Sequence, residues 1–175
     1  MYYTEYKSAS IRHLNTCRHL IDNLHLAATQ QTERNILLNI YYLAGYTIEC
    51  IVNFAIYDYI QFSKTNDVKS LSLLNNSYNV SFYPSKKNNI SANFIIHTHN
   101  FQKNCQFFSA QSISDASKIP HFDNYIPNPS LVPLFNDWKP EVRYIDKGFS
   151  KTDILAFFNL AEQIHSLTRI HITNN

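Results

Sequence analysis

The feature that most constrains this chain is an apolar stripe that runs through its first half. From Ile36 to Ile60 the apolar side chains recur every three or four positions, which is the spacing along one face of an α-helix. Thr32 is a suitable cap for this helix, and Glu33 falls in its first turn. A helix of about 30 residues is about 45 Å long, and one this apolar must be central, with other helices covering it.

A second stripe lies just before the first. Between Ser8 and about Gln30, apolar residues again recur at helical spacing: Ile11, Leu14, Cys17, Ile21, Leu24 and Ala28. The predicted connection between the two helices is only Gln30-Gln31-Thr32. Because so short a connection makes consecutive helices antiparallel neighbours, the sequence predicts a helical hairpin.

The end of the chain predicts one further clear helix. Ser150 followed by Asp153 resembles a capping box. The apolar stripe after it extends to about His171 and consists of Ile154, Phe157, Phe158, Ala161, Ile164 and Leu167. The spacing therefore predicts a last helix that packs against the central one.

The middle of the chain is less regular. Residues from about 63 to 96 form an insertion rich in Asn, Ser and Lys, in which 79–83 and 92–96 predict two short strands. A third helix is expected to start near Thr98 or Asn100 and to cover Phe101, Cys105 and Phe108. Residues 131–138 predict one or two helical turns, which end before Pro140. No repeat or long linker divides the chain, so we expect one domain over residues 1–175.

Composition narrows the fold class to a mostly helical domain. The chain has two Gly among 175 residues, which disfavours tight-turned β-sandwiches and barrels and the Gly-rich phosphate loops of many nucleotide-binding enzymes. We therefore expect an all-α fold with at most a small β-hairpin in the insertion.

Charge and cysteine usage set expectations about location. The net charge of +2 is too small by itself to predict a nucleic-acid binder, although the first helix carries a basic cluster of Arg12, His13, Arg18, His19 and His25. The three cysteines are far apart and form no CxxC pair, which predicts reduced thiols. The first residues lack an apolar signal region, and Asn53 and Asp58 interrupt the longest apolar stretch. We therefore expect no membrane span and a cytoplasmic protein.

Three segments of the chain resemble elements of one family. YYLAGYTIEC (41–50) lies inside the central helix, HTHNF (97–101) follows the insertion, and WKPEVRY (138–144) precedes the last helix. In this order they resemble one branch of the HEPN superfamily, which has a His-x-Asp-Leu-like motif and a Trp-x-Pro-Glu-x-Arg-Tyr element at the last two places. The resemblance spans most of the chain.

The resemblance implies an up-and-down bundle of four or five helices that is often a homodimer. The better-understood members are metal-independent endoribonucleases of toxin-antitoxin and phage-defence modules, frequently paired with a nucleotidyltransferase antitoxin. In them an Arg and a His a few residues later act together across the dimer interface. The His transfers a proton and the Arg stabilises the charge that develops on the phosphate, so the resemblance implies no cofactor.

Two sets of residues can take those catalytic roles. Motif position favours Arg143 with His97 or His99, and spacing favours Arg12 with His19, while Arg18 with His25 has the same spacing. HEPN ribonucleases carry their motif nearer the end of the domain, where Arg143 has no His at the required distance. A non-catalytic HEPN module that binds a nucleotide or a partner protein therefore stays open as the alternative.

Four residues are candidates for contact with a nucleotide or RNA: Glu49, Trp138, Tyr144 and Arg18. An unpaired carboxylate among apolar residues is costly, so Glu49 needs a partner, and Arg143, His97 or His99 can supply it. The result is either a structural ion pair or part of a phosphate site. Trp138 and Tyr144 either stack on a base or anchor the edge of the core.

The sequence predicts no metal site but favours a homodimer. His97, His99, His121 and Asp123 lack the spacing of a zinc site, so no metal is predicted. Gly45 lies in the middle of a helix, where it costs about 0.5–1 kcal/mol relative to Ala. Close approach of the central helix of a second copy would offset that cost, and this favours a homodimer.

Overall fold

A computed structural model of the chain describes residues 2–59, 63–65, 67–68, 79–81, 93–95, 99, 103–105 and 129–173. Within these ranges it contains the helices α1 (Thr4–Asp22), α2 (Gln30–Tyr59), α3 (Leu131–Asp137) and α4 (Lys151–Thr173). Short 3₁₀ turns lie at Leu24–Leu26 and Pro140–Arg143. The predicted all-α fold is confirmed.

The insertion contains a small antiparallel strand pair, as the sequence predicted. Strands β1 (Asn79–Ser81) and β2 (Asn93–Ile95) pair with Val80 opposite Phe94. Of the predicted third helix, residues 103–105 are helical, and the rest of that prediction, including Phe101 and Phe108, lies outside the described residues.

The first two helices form the predicted antiparallel hairpin. The hydroxyl of Ser10 donates to the carbonyl oxygen of Thr47 (2.8 Å), and the thiol of Cys17 donates to that of Ile40 (3.6 Å). Because the residue number falls along α2 as it rises along α1, the two helices run in opposite directions.

Helix α4 covers the other side of α2 and runs parallel to it. Lys151 pairs with Glu33 near the start of both helices (2.6 Å), and further along the rings of Tyr41 and Phe157 meet edge to face at 5.1 Å. α2 is therefore the central helix, as predicted, and its most buried apolar residues are fully enclosed: Ile40, Ala44, Ile48, Ile51, Val52 and Ile56.

The predicted boundaries of the first helical hairpin were wrong. α1 ends at Asp22 rather than near Gln30: the side-chain amide of Asn23 donates to the carbonyl oxygen of His19 (2.8 Å), and the chain turns into the 3₁₀ turn at Leu24–Leu26. α2 begins at Gln30, because Thr29 and not Thr32 caps it: the Thr29 hydroxyl oxygen accepts from the backbone N–H of Thr32 (3.1 Å).

The last helix begins as predicted. The Ser150 hydroxyl oxygen accepts from the backbone N–H of Asp153 (3.1 Å), and the Asp153 carboxylate accepts from that of Ser150 (3.3 Å). This reciprocal arrangement is a capping box. Just before it, Arg34 on α2 donates to the Asp146 carboxylate and to the carbonyl oxygen of Phe149, which fixes the segment between the last 3₁₀ turn and α4.

The expectation that no segment is long and apolar enough to cross a membrane was wrong for α2. Gln30–Asp58 has the length and the apolar composition of a membrane-spanning helix, judged over its most apolar window of 18 residues. In the bundle 61% of this window is buried, because α1 and α4 pack on it. The core helix of a bundle has the same composition as a membrane span for this reason.

Candidate functional site

The three segments that resemble HEPN elements meet on one face of α2. Tyr42, Tyr46 and Glu49 follow one another at helical spacing and therefore project from the same side of α2. His99 contacts Glu49 and Tyr46, and Trp138 contacts Tyr46. Segments far apart in the sequence thus form one continuous surface, which we call the tyrosine face.

A buried carboxylate and a half-exposed imidazole are paired on this face. Glu49 is only 5% exposed, and its two carboxylate oxygens lie 3.1 and 3.3 Å from Nδ1 of His99. Because a carboxylate can only accept, Nδ1–H donates and Nε2 is the nitrogen left to exchange a proton. Of the predicted partners of Glu49, the structure confirms His99, whereas His97 lies outside the described residues.

Burial and the imidazole act in opposite directions on Glu49. Burial raises the pKa of the Glu49 carboxyl and is the larger effect, while the charge and hydrogen bond of His99 lower it. The predicted direct contact of Glu49 with RNA does not fit this burial. Glu49 instead orients His99, whose side chain is 51% exposed.

The backbone at His99 adopts a left-handed conformation, with φ of 56°. Among the described residues other than glycine it alone has a positive φ, and such conformations are uncommon in residues with a Cβ atom. Residues held in unfavourable backbone conformations cluster at functional sites. The turn at His99 is thus a second, independent sign that this imidazole is held in place.

Tyr46 lies at the centre of the tyrosine face. Its ring meets those of Tyr42 (4.9 Å), Trp138 (5.0 Å), His13 (5.6 Å) and His99 (6.2 Å). Burial and the neighbouring Tyr42 raise the pKa of the Tyr46 phenol. The phenol is therefore protonated at neutral pH and can donate a hydrogen bond.

Trp138 forms part of the floor of the site and is not a base-stacking platform. It is 1% exposed, and its indole N–H donates to the carbonyl oxygen of Tyr42 (3.2 Å). Its ring lies directly over Gly45, where a Cβ atom would overlap it. Of the two alternatives for Trp138, stacking on a base is therefore wrong and an anchor in the core is confirmed. Gly45 is explained by an indole of the same chain rather than by a second copy.

Arg143 and Tyr144 lie at the exposed edge of the tyrosine face. The Arg143 guanidinium is 5.7 Å from the centre of the Tyr42 ring and 4.4 Å from that of Tyr144, and it donates to both phenol oxygens. Tyr144 is 72% exposed. The described contacts of Arg143 are thus with tyrosines rather than with Glu49, and the guanidinium and the Tyr144 ring are both open to a ligand.

The basic residues of α1 divide between two sides of the helix. Arg12 is exposed and acts electrostatically on His13 and Cys50, which places it near the tyrosine face. Arg18 instead forms an ion pair with Glu162 of α4 (2.5 Å), so the expected contact of Arg18 with RNA competes with this pair.

The catalytic pair predicted on α1 stays a prediction, because the resemblance has such pairs act across the interface of two chains. Arg12 and His19 share a face of α1 but lie about 10 Å apart along its axis. The His19 ring contacts Asn23 instead (3.4 Å from Nδ1 to Nδ2). The third pair is also separated, because α1 ends before His25, which lies in the 3₁₀ turn.

Sequence reasoning missed His13 as a site residue. It was counted only within a basic cluster, yet its ring is half-buried against Tyr46. The register between α1 and α2 would have identified it. Ser10 contacts Thr47, so His13, one turn further along α1, lies opposite the start of the tyrosine face on α2.

Thiol and metal chemistry have little support in the described part of the chain. Cys17, Cys50 and Cys105 are free and buried, and burial raises the pKa of the Cys17 and Cys50 thiols to about 12. Among the described residues no three His, Cys, Asp or Glu side chains form a group that could hold a metal ion. His121 and Asp123 lie outside the described residues.

Comparison of the chain with models of known families, with curated proteins and with solved structures found no match. The resemblance to HEPN proteins therefore rests on the three segments quoted above.

Proposed function

We propose that this chain acts on RNA as a metal-independent endoribonuclease of the HEPN type, with its site on the tyrosine face. The observation that carries the proposal is the pairing of buried Glu49 with half-exposed His99. A carboxylate that holds one imidazole nitrogen leaves the other oriented for proton transfer, as in the Ser-His-Asp triad of hydrolases.

The chemistry needs only proton transfer and stabilisation of charge. The ribose 2′-oxygen loses its proton and attacks the adjacent phosphorus, the bond from phosphorus to the 5′-oxygen breaks, and that oxygen gains a proton. The products are a 2′,3′-cyclic phosphate and a 5′-hydroxyl. His99 can serve one of the two proton transfers through Nε2.

Arg143 is suited to hold the phosphate. Its guanidinium carries a permanent charge and a planar set of donors that matches two phosphate oxygens. Its contacts with the rings of Tyr42 and Tyr144 keep it at the edge of the face. The neighbouring Tyr144 ring is exposed enough to stack on an RNA base.

The proposal is tested by incubating the purified chain with labelled RNA in EDTA and resolving the fragments on a denaturing gel. His99→Ala and Arg143→Ala should each slow cleavage by about 100-fold or more, with fragments from the parent that end in a cyclic phosphate. Asn159→Ala, at an exposed position of α4 outside the tyrosine face, is the control. Cleavage by His99→Ala at the rate of the parent would overturn the proposal.

A non-catalytic module that binds a nucleotide or RNA is the second candidate. It is favoured by the exposed stack of Arg143 on Tyr144, which suits binding, and by the two tyrosines that separate Arg143 from His99. The same assay distinguishes the two candidates, because a binding module retains labelled RNA in EDTA without cutting it.

The HEPN resemblance extends the proposal to a homodimeric effector of a toxin-antitoxin or phage-defence module, with an antitoxin or nucleotidyltransferase as its partner. Gly45 no longer supports the homodimer, since Trp138 occupies the space above it. The mass of the chain in solution, measured by light scattering at micromolar concentration, tests the dimer separately from the activity.

A further inference from the structure

A second imidazole lies on the tyrosine face, and the proposed function leaves it unused. His13 on α1 lies 5.6 Å from the Tyr46 ring at a tilt of 36°, and His99 lies 6.2 Å from the same ring at 82°. Two imidazoles from separate parts of the chain therefore flank one tyrosine. His13 belongs to none of the three segments that resemble HEPN elements.

The surroundings of the two imidazoles differ in sign of charge. His99 donates its Nδ1–H to the buried Glu49 carboxylate, as the histidine of a catalytic triad does. His13 is next to Arg12, and burial together with the Arg12 charge lowers the pKa of the His13 imidazole. Two imidazoles in such different surroundings are suited to different roles in proton transfer.

The groups that face His13 come from two helices and one turn. Arg12 neighbours it on α1, and Tyr46 of α2 packs on its ring. Beyond Tyr46 lie Glu49 and Cys50, which both act electrostatically on the Tyr46 phenol. The acidic charge among these groups is on Glu49, and His99 engages it directly.

We propose that His13 is the general base and His99 the general acid of a two-histidine cleavage reaction on the tyrosine face. This inference rests on the proposed ribonuclease function and deepens it. Neutral His13 takes the proton from the 2′-hydroxyl as that oxygen attacks phosphorus. His99 gives its Nε2 proton to the 5′-oxygen as the bond from phosphorus to that oxygen breaks. The RNA thus loses one proton to His13 and gains one from His99.

The experiment uses two oligonucleotides with a single ribonucleotide at a position where the parent cuts. One has the ordinary 5′-oxygen at the scissile bond and the other has sulfur there, because a thiolate leaves without needing a proton. His13→Ala, His13→Gln and His99→Ala are compared with the parent and with the control Asn159→Ala, at an exposed position of α4. His13→Gln retains a polar side chain of similar size against Tyr46, and circular dichroism confirms that each variant is folded.

On the oxygen substrate, both His13 variants and His99→Ala should be slower than the parent by about 100-fold or more. On the sulfur substrate, His99→Ala should recover most of the parent rate, whereas the His13 variants stay slow. The pH dependence should separate the roles as well: removing the base abolishes the rise of rate with pH, and removing the acid abolishes the fall at higher pH.

The outcomes that overturn the inference differ from those that overturn the proposed function. If the parent cuts and the His13 variants cut equally fast, His13 is not catalytic and the ribonuclease proposal stands. If sulfur rescues the His13 variants instead of His99→Ala, the assignment of acid and base is wrong. If the folded parent cuts neither substrate nor bulk RNA, the proposed function itself fails.

Discussion

The indole ring of Trp138 lies directly over Gly45, and its N–H donates to the carbonyl oxygen of Tyr42 one turn earlier on the same helix. The contact joins the 138–144 segment to the centre of α2. Because Tyr46 meets the edge of the same indole at 5.0 Å, the position of Trp138 also sets the position of the tyrosine that lies between the two imidazoles.

Gly45→Ala should destabilise the protein by about 1–3 kcal/mol, because the new methyl group overlaps the Trp138 ring. Urea unfolding gives the free energy directly. In a Trp138→Ala background the sign should reverse, since the space is then open and Ala in a helix is more favourable than Gly by about 1 kcal/mol. An equal loss of stability in both backgrounds would show that the indole is not the cause.

Gly148→Ala is the matched comparison for that substitution. Nothing lies within 4 Å of a Cβ atom at Gly148, but its φ of 72° is left-handed. The expected cost is about 1–2 kcal/mol from the backbone alone, and Trp138→Ala should leave it unchanged.

Glu49→Gln should make the protein more stable at pH 8 while slowing cleavage by about 100-fold or more. Burial raises the pKa of the Glu49 carboxyl in the folded state, so the folded chain binds this proton more tightly than the unfolded chain does. The parent therefore loses stability as pH rises from about 4.5 through the raised pKa, and the variant, which has no carboxyl there, does not.

Unfolding of parent and Glu49→Gln in urea at pH 4 and pH 8 checks this prediction. The two should have similar free energies of unfolding at pH 4 and separate at pH 8. A variant that is less stable than the parent at pH 8 would mean that the hydrogen bond with His99 outweighs the cost of burying the charge.

Tyr144→Ala should weaken binding of a single-stranded oligonucleotide by about 1–3 kcal/mol for the stacked base. The side chain is 72% exposed, so the free energy of unfolding should change by less than about 0.5 kcal/mol. Fluorescence anisotropy of a labelled oligonucleotide measures the affinity. Ile145→Ala, at the neighbouring exposed residue, is the control and should bind like the parent, whereas Tyr144→Phe should retain most of the affinity.

Thr168→Val should stabilise the bundle by about 1–3 kcal/mol. The Thr168 hydroxyl is fully buried and has no hydrogen-bond partner, and removing an unsatisfied group by an isosteric change recovers its desolvation cost. Thr47→Val is the control, because the Thr47 hydroxyl is buried but donates to the carbonyl oxygen of Leu43 (3.0 Å). Thermal unfolding should show a higher melting temperature for Thr168→Val and a lower one for Thr47→Val.

His165→Leu should reduce the loss of stability that the parent suffers in mild acid. Burial and the charges of Arg169 and Arg18 lower the pKa of His165 in the folded state, so the unfolded chain gains this proton first as pH falls below about 6.5. His13, whose pKa is also lowered, contributes in the same direction. Urea unfolding between pH 5 and pH 8 should therefore give a shallower slope for the variant, and an unchanged slope would contradict the prediction.

The periodic features of the sequence predicted the bundle well. The stripe through α2 and the capping box before α4 each depend on residues close in sequence, and such local patterns determine local structure. The requirement that a buried carboxylate have a partner also predicted a partner for Glu49 among Arg143, His97 and His99, and the structure shows His99. For the helical stripe and the capping box, residues close in sequence carry the information, whereas the Glu49 partner followed from the cost of a buried charge.

The parts that sequence reasoning missed depend on contacts between distant residues or on small differences in energy. Asn23 caps the end of α1 and Thr29 caps the start of α2. Other polar residues nearby could have capped instead, and one capping hydrogen bond is worth only about 1 kcal/mol. Gly45 correctly indicated a close approach, but the approaching group was an indole 93 positions away rather than a second chain. His13 required the register between two helices, which no single stripe contains.

The tyrosine face joins residues that are made at different times on the ribosome. Glu49 and His99 are separated by 50 positions, and Tyr42 and Arg143 by 101, whereas α1 and α2 are joined by one short connection and can pair as soon as both have emerged. A nascent chain that ends before residue 138 has the helical hairpin and His13 but lacks both the indole over Gly45 and the guanidinium at the edge. The tyrosine face is therefore completed only when the 138–144 segment has been synthesised, so an unfinished chain carries the helical scaffold without the complete face.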